Sequence, residues 1–200
     1  MTTPQDLLII ALDVPSRRDV GQGDLSLALA GAELADLLEA GALTLDGDRI
    51  VPGAPWATDD TLLSEAVSAL VREEPYESVE DWLWRRGRDL FAAYRTDLDA
   101  RTPAGPGHRR WNPLRGGTAE RADSPERRQA RDRWSQGEPV LVGLAAAVGI
   151  EHPDGADAAP AVGAVGTVLD AVHDAETELE AVRQRRSIEN AAFDNIWRAP

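Results

Sequence analysis

Leu25, Leu29, Ala32, Leu34 and Leu38 recur at three- and four-residue spacing between Asp24 and Ala40, with alanine filling much of the rest. That period is one face of an α-helix. Gly41 follows as a C-terminal cap. The period then changes. Leu43-Thr44-Leu45 and Arg49-Ile50-Val51 are short β-prone runs flanking Asp46-Gly47-Asp48, and Asp-Gly between such runs signals a tight hairpin. A helix feeding a small hairpin at 42–52 is therefore expected, and it limits the folds open to the chain.

The remaining segments read as helices. Asp6 to Leu12 is an apolar run that periodicity alone leaves open between helix and strand. Thr2, Thr3 and Pro4 ahead of it make a helix start, so residues 4–13 are read as a helix. Residues 58–72 carry a stripe of Leu62, Leu63, Ala66, Val67 and Leu70, with Thr58 or Asp59 as N-cap. Ser78 opens a further helix reaching about Ala100, with a kink or break expected at Gly87. Ser124-Pro125 begins a polar helix to Ser135, and 138–150 is apolar enough for a buried core helix. One or two amphipathic helices are expected over 158–197. The fold class is mainly α, a single compact helical domain over 1–200 with one small β-hairpin and a Pro/Gly-rich loop at 102–118.

Composition removes much of the enzyme menu. The 200 residues contain no cysteine, which excludes disulfides, thiolate metal sites and cysteine nucleophiles. Three histidines stand at 108, 152 and 173 without a placed nucleophile or an elbow motif. Asp170 and His173 share a helix face, but the partner motif of a carboxylate-bridged metal site is missing, so a polar surface is expected there. No metal and no cofactor are expected. Asp59-Asp60 and Glu73-Glu74 read as helix-terminus charges, and Gly21, Gly23, Gly163 and Gly166 as turn or close-packing positions. No apolar run approaches the roughly 18 residues of a membrane span. No basic-then-apolar leader is seen, so a cytoplasmic chain is expected.

Charge is the informative asymmetry. The net charge is −14, yet residues 85–133 hold thirteen arginines against seven acids, leaving the rest of the chain at −20. Two readings follow. The arginines pair with the protein's own carboxylates, for which their planar fork is suited, or some stay free to meet an external anion such as a phosphate or lipid headgroup. Trp111 beside Arg109-Arg110 adds an aromatic suited to a membrane interface. Nucleic acid is disfavoured, because the overall charge repels a polyanion and no recognition motif is present.

The residues also resemble a family. The helix–glycine–small β unit from Leu34 to Asp46 is similar to one near the start of Golgi phosphoprotein 3-like domains. Thr58 to Val67 resembles that family's Pro-Thr-Gly-Asp-x-Leu-Leu-Asp-Glu-Ala-Leu, and Val79 to Leu83 its Val-x-x-Trp-Ile/Leu. Order and spacing agree over roughly 5–197, and an alanine-rich chain without lysine fits a high-GC, actinobacterial-like source.

The resemblance implies a helical domain with a non-enzymatic, peripheral membrane role. Eukaryotic members bind phosphatidylinositol 4-phosphate and act as adaptors. The family's headgroup pocket uses an early tryptophan, the arginine of a Leu-Arg-Gly turn and a later Arg-x-x-Arg. Here Leu29-Ala30-Gly31 replaces Leu-Arg-Gly, and the early tryptophan falls near Gly21 and is missing. The later pair is Arg85 and Arg88, or Arg88 and Phe91; Arg88 survives both alignments. The family's apolar membrane-contact hairpin would fall at about 101–114. The candidate headgroup residues are accordingly Arg88, with Arg85, Arg109, Arg110 and Trp111 as helpers. The implied partner is an anionic, phosphoinositide-like headgroup or the inner membrane face. The alternative is a soluble protein-interaction adaptor that keeps the fold without the lipid pocket. Protein partners and oligomeric state are left open.

Overall fold

The computed structural model describes residues 2–16, 20–101, 124–153 and 161–198, the last eight as backbone. Among these the chain is mainly α with one small antiparallel hairpin, as the hydrophobic periods predict.

Helix α1 (Thr3–Asp13) settles the ambiguity of the first apolar run. Thr2 caps it with Gln5 reaching back, Pro4 sits in its first turn, and Leu7 through Ile10 are at most 1% exposed. A helix apolar all round must be covered on every side. Here α2 (Gln22–Glu39), α5 (Leu90–Arg101), α6 (Pro125–Ser135) and α7 (Pro139–Ala147) supply the cover. Helix α2 is the second central element and packs on α1, α7 and the long α8 (Ala164–Arg198). Gly31 lies at the α2–α8 crossing, where an added Cβ would clash with Val172.

Past Ala40, Gly41 adopts φ +66° and sends the chain into β1 (Leu43–Asp46), which pairs with β2 (Arg49–Pro52) in the register Leu43↔Pro52 and Asp46↔Arg49. The free edge of β2 is put to use. The amide of Ile50 donates to the Glu77 carbonyl and that of Val79 to the Asp48 carbonyl, each at 2.9 Å. The hairpin thereby fixes where α4 (Val79–Arg86) begins.

Both ends of the third helix differ from the sequence reading. Helix α3 (Thr61–Ala69) is capped by Asp60, whose carboxylate accepts from the Leu63 amide at 2.9 Å and from Gln5 Nε2 at 2.5 Å. The cap is thus chosen by a partner on α1. Helix α3 ends at Ala69, three residues early, because Leu70 turns extended and Arg85 Nη2 takes up the Ala69 carbonyl at 3.1 Å. The expected break at Gly87 occurs, and Asp89 at φ +60° redirects the chain into α5. The last segment is one continuous helix of 35 residues.

Helix α6 is strongly polar, and beside the buried Ala130 and Trp134 it is held largely by charge. Arg127 and Arg131 both reach Asp13, and Arg133 joins Asp6 to Glu138. Asp36 accepts from the Thr3 amide at 2.9 Å, tying α2 to the start of α1. Burial pushes the carboxyl of Asp36 above its usual range despite that hydrogen bond.

Two predictions follow from this packing. Gly31→Ala forces Val172 to move and should cost about 1–3 kcal/mol in urea-denaturation stability. Asp36 holds its proton to higher pH folded than unfolded, so its contribution to stability falls as pH rises through that window. The stability cost of Asp36→Asn should therefore be larger near pH 4 than at pH 7, and an opposite trend in denaturation midpoints would contradict the assignment.

Candidate functional site

Helix α4 begins with Ser78 as cap: its Oγ accepts from the Asp81 amide at 3.0 Å and donates to the Asp81 carboxylate at 2.7 Å. Trp82, fully buried, donates its indole N–H to the Ala30 carbonyl at 3.3 Å, which locks α4 to α2. These bonds set the direction in which Arg85 and Arg86 leave the helix and where the turn bearing Arg88 follows.

Arg86 points inward. Its Nε and Nη2 grip the two oxygens of Glu33 at 2.8 and 2.9 Å, and Nη2 also donates to the Leu62 carbonyl at 3.1 Å. The Tyr94 hydroxyl donates to Glu33 at 3.0 Å. Glu33 is 0% exposed. Burial pushes its carboxyl up, against the hold of Arg86, and pushes the Tyr94 phenol well above its ordinary value. A paired, hydrogen-bonded charge of this kind is structural.

Arg85 lies over the Trp82 ring at 5.2 Å and is bidentate to Glu77, with Nε and Nη2 at 2.6 and 2.7 Å from its two oxygens. Arg88 differs from both. It stands exposed on the turn Gly87-Arg88-Asp89 with no ion pair to any described residue. Behind it the turn is braced on α2: the Phe91 amide donates to Ser26 Oγ at 3.0 Å, and a Cβ at Gly87 would meet the Ser26 carbonyl. Arg109, Arg110 and Trp111 lie outside the described residues, as do His108 and the Pro/Gly-rich loop.

Internal pairing accounts for much of the basic middle segment. Arg85, Arg86, Arg95, Arg101, Arg127, Arg131 and Arg133 each contact a carboxylate. The described surface includes hollows on two sides of the fold. An open one of about 550 Å³ runs along α3 beside Thr61, Ser64, Glu65 and Ser68. A narrow cleft between α1, α5 and α6 includes Arg101, already held by Asp97 and Asp60. Arg88 lines neither.

His152 is buried against Trp134, with its Nε2 2.8 Å from that residue's carbonyl, and His173 is exposed on α8. Among the described residues no group of three or more acidic or histidine side chains has metal-site geometry.

A family model, Golgi phosphoprotein 3, matches residues 4–189. The chain belongs to the Golgi phosphoprotein 3 family. This is a family of non-enzymatic binding and adaptor proteins. No curated protein and no solved structure matches the chain significantly. The two departures from the family's headgroup pattern acquire structural content. Ala30 is 0% exposed, and its carbonyl accepts from the Trp82 indole N–H. At Gly21 a Cβ would meet Asp24 Oδ2 at 2.5 Å and Arg183 Nη2 at 2.8 Å, so a larger residue there would have to displace that ion pair. Arg183 comes from α8 and holds both oxygens of Asp24 at 2.7 and 2.8 Å. Sequence reasoning missed it, because nothing local links two residues 159 positions apart.

The Glu33–Arg86 pair gives a direct test. Glu33→Gln leaves the half-buried Arg86 guanidinium with only Glu65, at 4.0 Å, as counter-charge and should cost about 3 kcal/mol, measured by urea denaturation. Arg85→Ala breaks a half-exposed pair and should cost far less.

Proposed function

We propose that this chain is a non-enzymatic binding module for anionic lipid headgroups, peripheral on the inner, cytoplasmic face of a membrane, with Arg88 as its central cation. One observation carries the reading: Arg88 stands exposed without a carboxylate partner among the described residues, while its neighbours Arg85 and Arg86 are both clasped. A free guanidinium keeps its donors for a phosphate, which it can meet in bidentate fashion. Arg85 contributes by bracing α4 next to that turn, and Arg109, Arg110 and Trp111 are assigned to the same contact. Among the described residues no helix is long and apolar enough to cross a membrane, which fits attachment from one side.

A second reading is favoured by a separate observation. Ala30 is buried, and Arg183 and Asp24 fill the space beside Gly21. Where the family pattern has an arginine and a tryptophan, this chain has a buried alanine and an internal ion pair. A protein-interaction adaptor that keeps the fold and has no lipid pocket would look like this.

Flotation with phosphatidylcholine vesicles carrying phosphatidylinositol 4-phosphate separates the two. Headgroup binding predicts co-flotation at low salt and a loss of roughly 10- to 100-fold on Arg88→Ala, the worth of one charge-assisted bond at about 1.5–3 kcal/mol. Arg109→Ala with Arg110→Ala should weaken it further. Wild-type protein that stays with the soluble fraction at low salt would leave the adaptor reading.

A further inference from the structure

Helix α5 takes a cap from another helix. The first amides of a helix have no partner within it, and the residue ahead of the helix usually supplies one from an extended backbone. Asp89 stands at that position with φ +60°, a left-handed conformation that turns the chain instead. The Leu90 amide closes the turn on the Gly87 carbonyl at 3.2 Å, and the Phe91 amide donates to Ser26 Oγ at 3.0 Å. Ser26 lies on α2, 65 positions away in the chain, and is 7% exposed.

The same turn is pressed on α2 through its backbone. A Cβ at Gly87 would lie 2.5 Å from the Leu83 carbonyl oxygen and 3.3 Å from that of Ser26. Arg88 sits between these two points of attachment. Bonds from Gly87 to Leu83, Leu90 to Gly87 and Ala93 to Asp89 are local to the turn and its flanking helices; the Ser26 bond ties the turn to α2. Helix α2 is itself fixed on either side of Ser26. Arg183 of α8 holds both oxygens of Asp24, and the Trp82 indole holds the Ala30 carbonyl.

This matters for Arg88 in a way it does not for its neighbours. Arg85 and Arg86 are oriented at their tips by Glu77 and Glu33. Arg88 has no ion pair to any described residue, so its direction is set at its root, by the backbone of the turn. A root held in place leaves less freedom to lose on binding and aims the guanidinium at one approach.

We infer that Ser26 is a positioning residue for the anion contact of Arg88, its hydroxyl capping α5 from α2 and so fixing where the guanidinium meets a phosphate. The inference rests on the headgroup reading of Arg88 and adds to it a buried, uncharged side chain on a different helix.

The test uses the full chain and phosphatidylcholine vesicles carrying phosphatidylinositol 4-phosphate. Ser26→Ala removes one oxygen and should weaken co-flotation roughly fivefold, the worth of one neutral hydrogen bond. With Arg88→Ala already in place, and lipid raised until that variant floats, Ser26→Ala should change nothing more, since residues acting through one another are non-additive. Amide hydrogen exchange followed by nuclear magnetic resonance should show Phe91 exchanging faster in Ser26→Ala than in wild type. Ser26→Thr keeps the hydroxyl and should restore both readings. If Ser26→Ala melts below the assay temperature, Ser26→Cys takes its place, since sulfur is a weak acceptor. Ser26→Ala that floats like wild type while Arg88→Ala is lost overturns the inference and leaves the headgroup reading standing. An equal loss with and without Arg88 also overturns it, because the hydroxyl then acts on the fold at large, and so does unchanged exchange at Phe91. Wild-type protein that ignores these vesicles removes the headgroup reading and the inference with it.

Discussion

The carboxylate of Glu33 joins four helices at one point. It stands on α2, is gripped by Arg86 of α4 and by the Tyr94 hydroxyl of α5, and the same guanidinium takes the Leu62 carbonyl of α3. Taking these charges out of water costs several kcal/mol per ion before the pairing offsets it. The cluster therefore adds less to net stability than its short distances suggest, and its effect lies in geometry. Apolar helices slide and rotate against one another at small cost, whereas a bidentate pair fixes their relative position. Alternative packings of α3, α4 and α5 on α2 would strand a buried charge.

That fixed geometry also decides which arginines face out. Once Arg86 is directed inward and the Trp82 indole is tied to Ala30, helical spacing puts Arg85 at the side, against Glu77, and leaves Arg88 on the turn that follows. The β-hairpin serves the same end, since the free edge of β2 binds residues 77–79 and sets where α4 starts. A two-stranded sheet with little core of its own is thus a positioning device for a helix. At the other side of the molecule Asp13 and Asp6 hold α6 to α1 through Arg127, Arg131 and Arg133. A helix this polar would find little hydrophobic reason to dock.

Much of the fold was legible in the sequence because its signals are local. The hydrophobic period of α2, the Asp-Gly between two β-prone runs, Ser78 and Ser124 as caps and the apolar stretch of α7 each lie within a few residues of one another. The errors arose where distant groups intervened. Asp60 caps α3 in place of Thr58 or Asp59 because Gln5 and Arg101 converge on it. Helix α3 stops early where Arg85 takes its last carbonyl. Of the site, the sequence singled out the arginines but held no information on their partners. Glu33 and Arg86 are 53 positions apart, and Asp24 and Arg183 are 159 apart.

The sequence by itself determined the mainly helical class, the hairpin at 43–52, the absence of cysteine chemistry and the family, since composition and residue spacing suffice for these. Only the tertiary structure decided which positive charges are neutralised within the protein and which stay exposed. A guanidinium's fate depends on whether a carboxylate from a remote element arrives within about 3 Å of it. Chain folding sets that distance, and no local pattern encodes it.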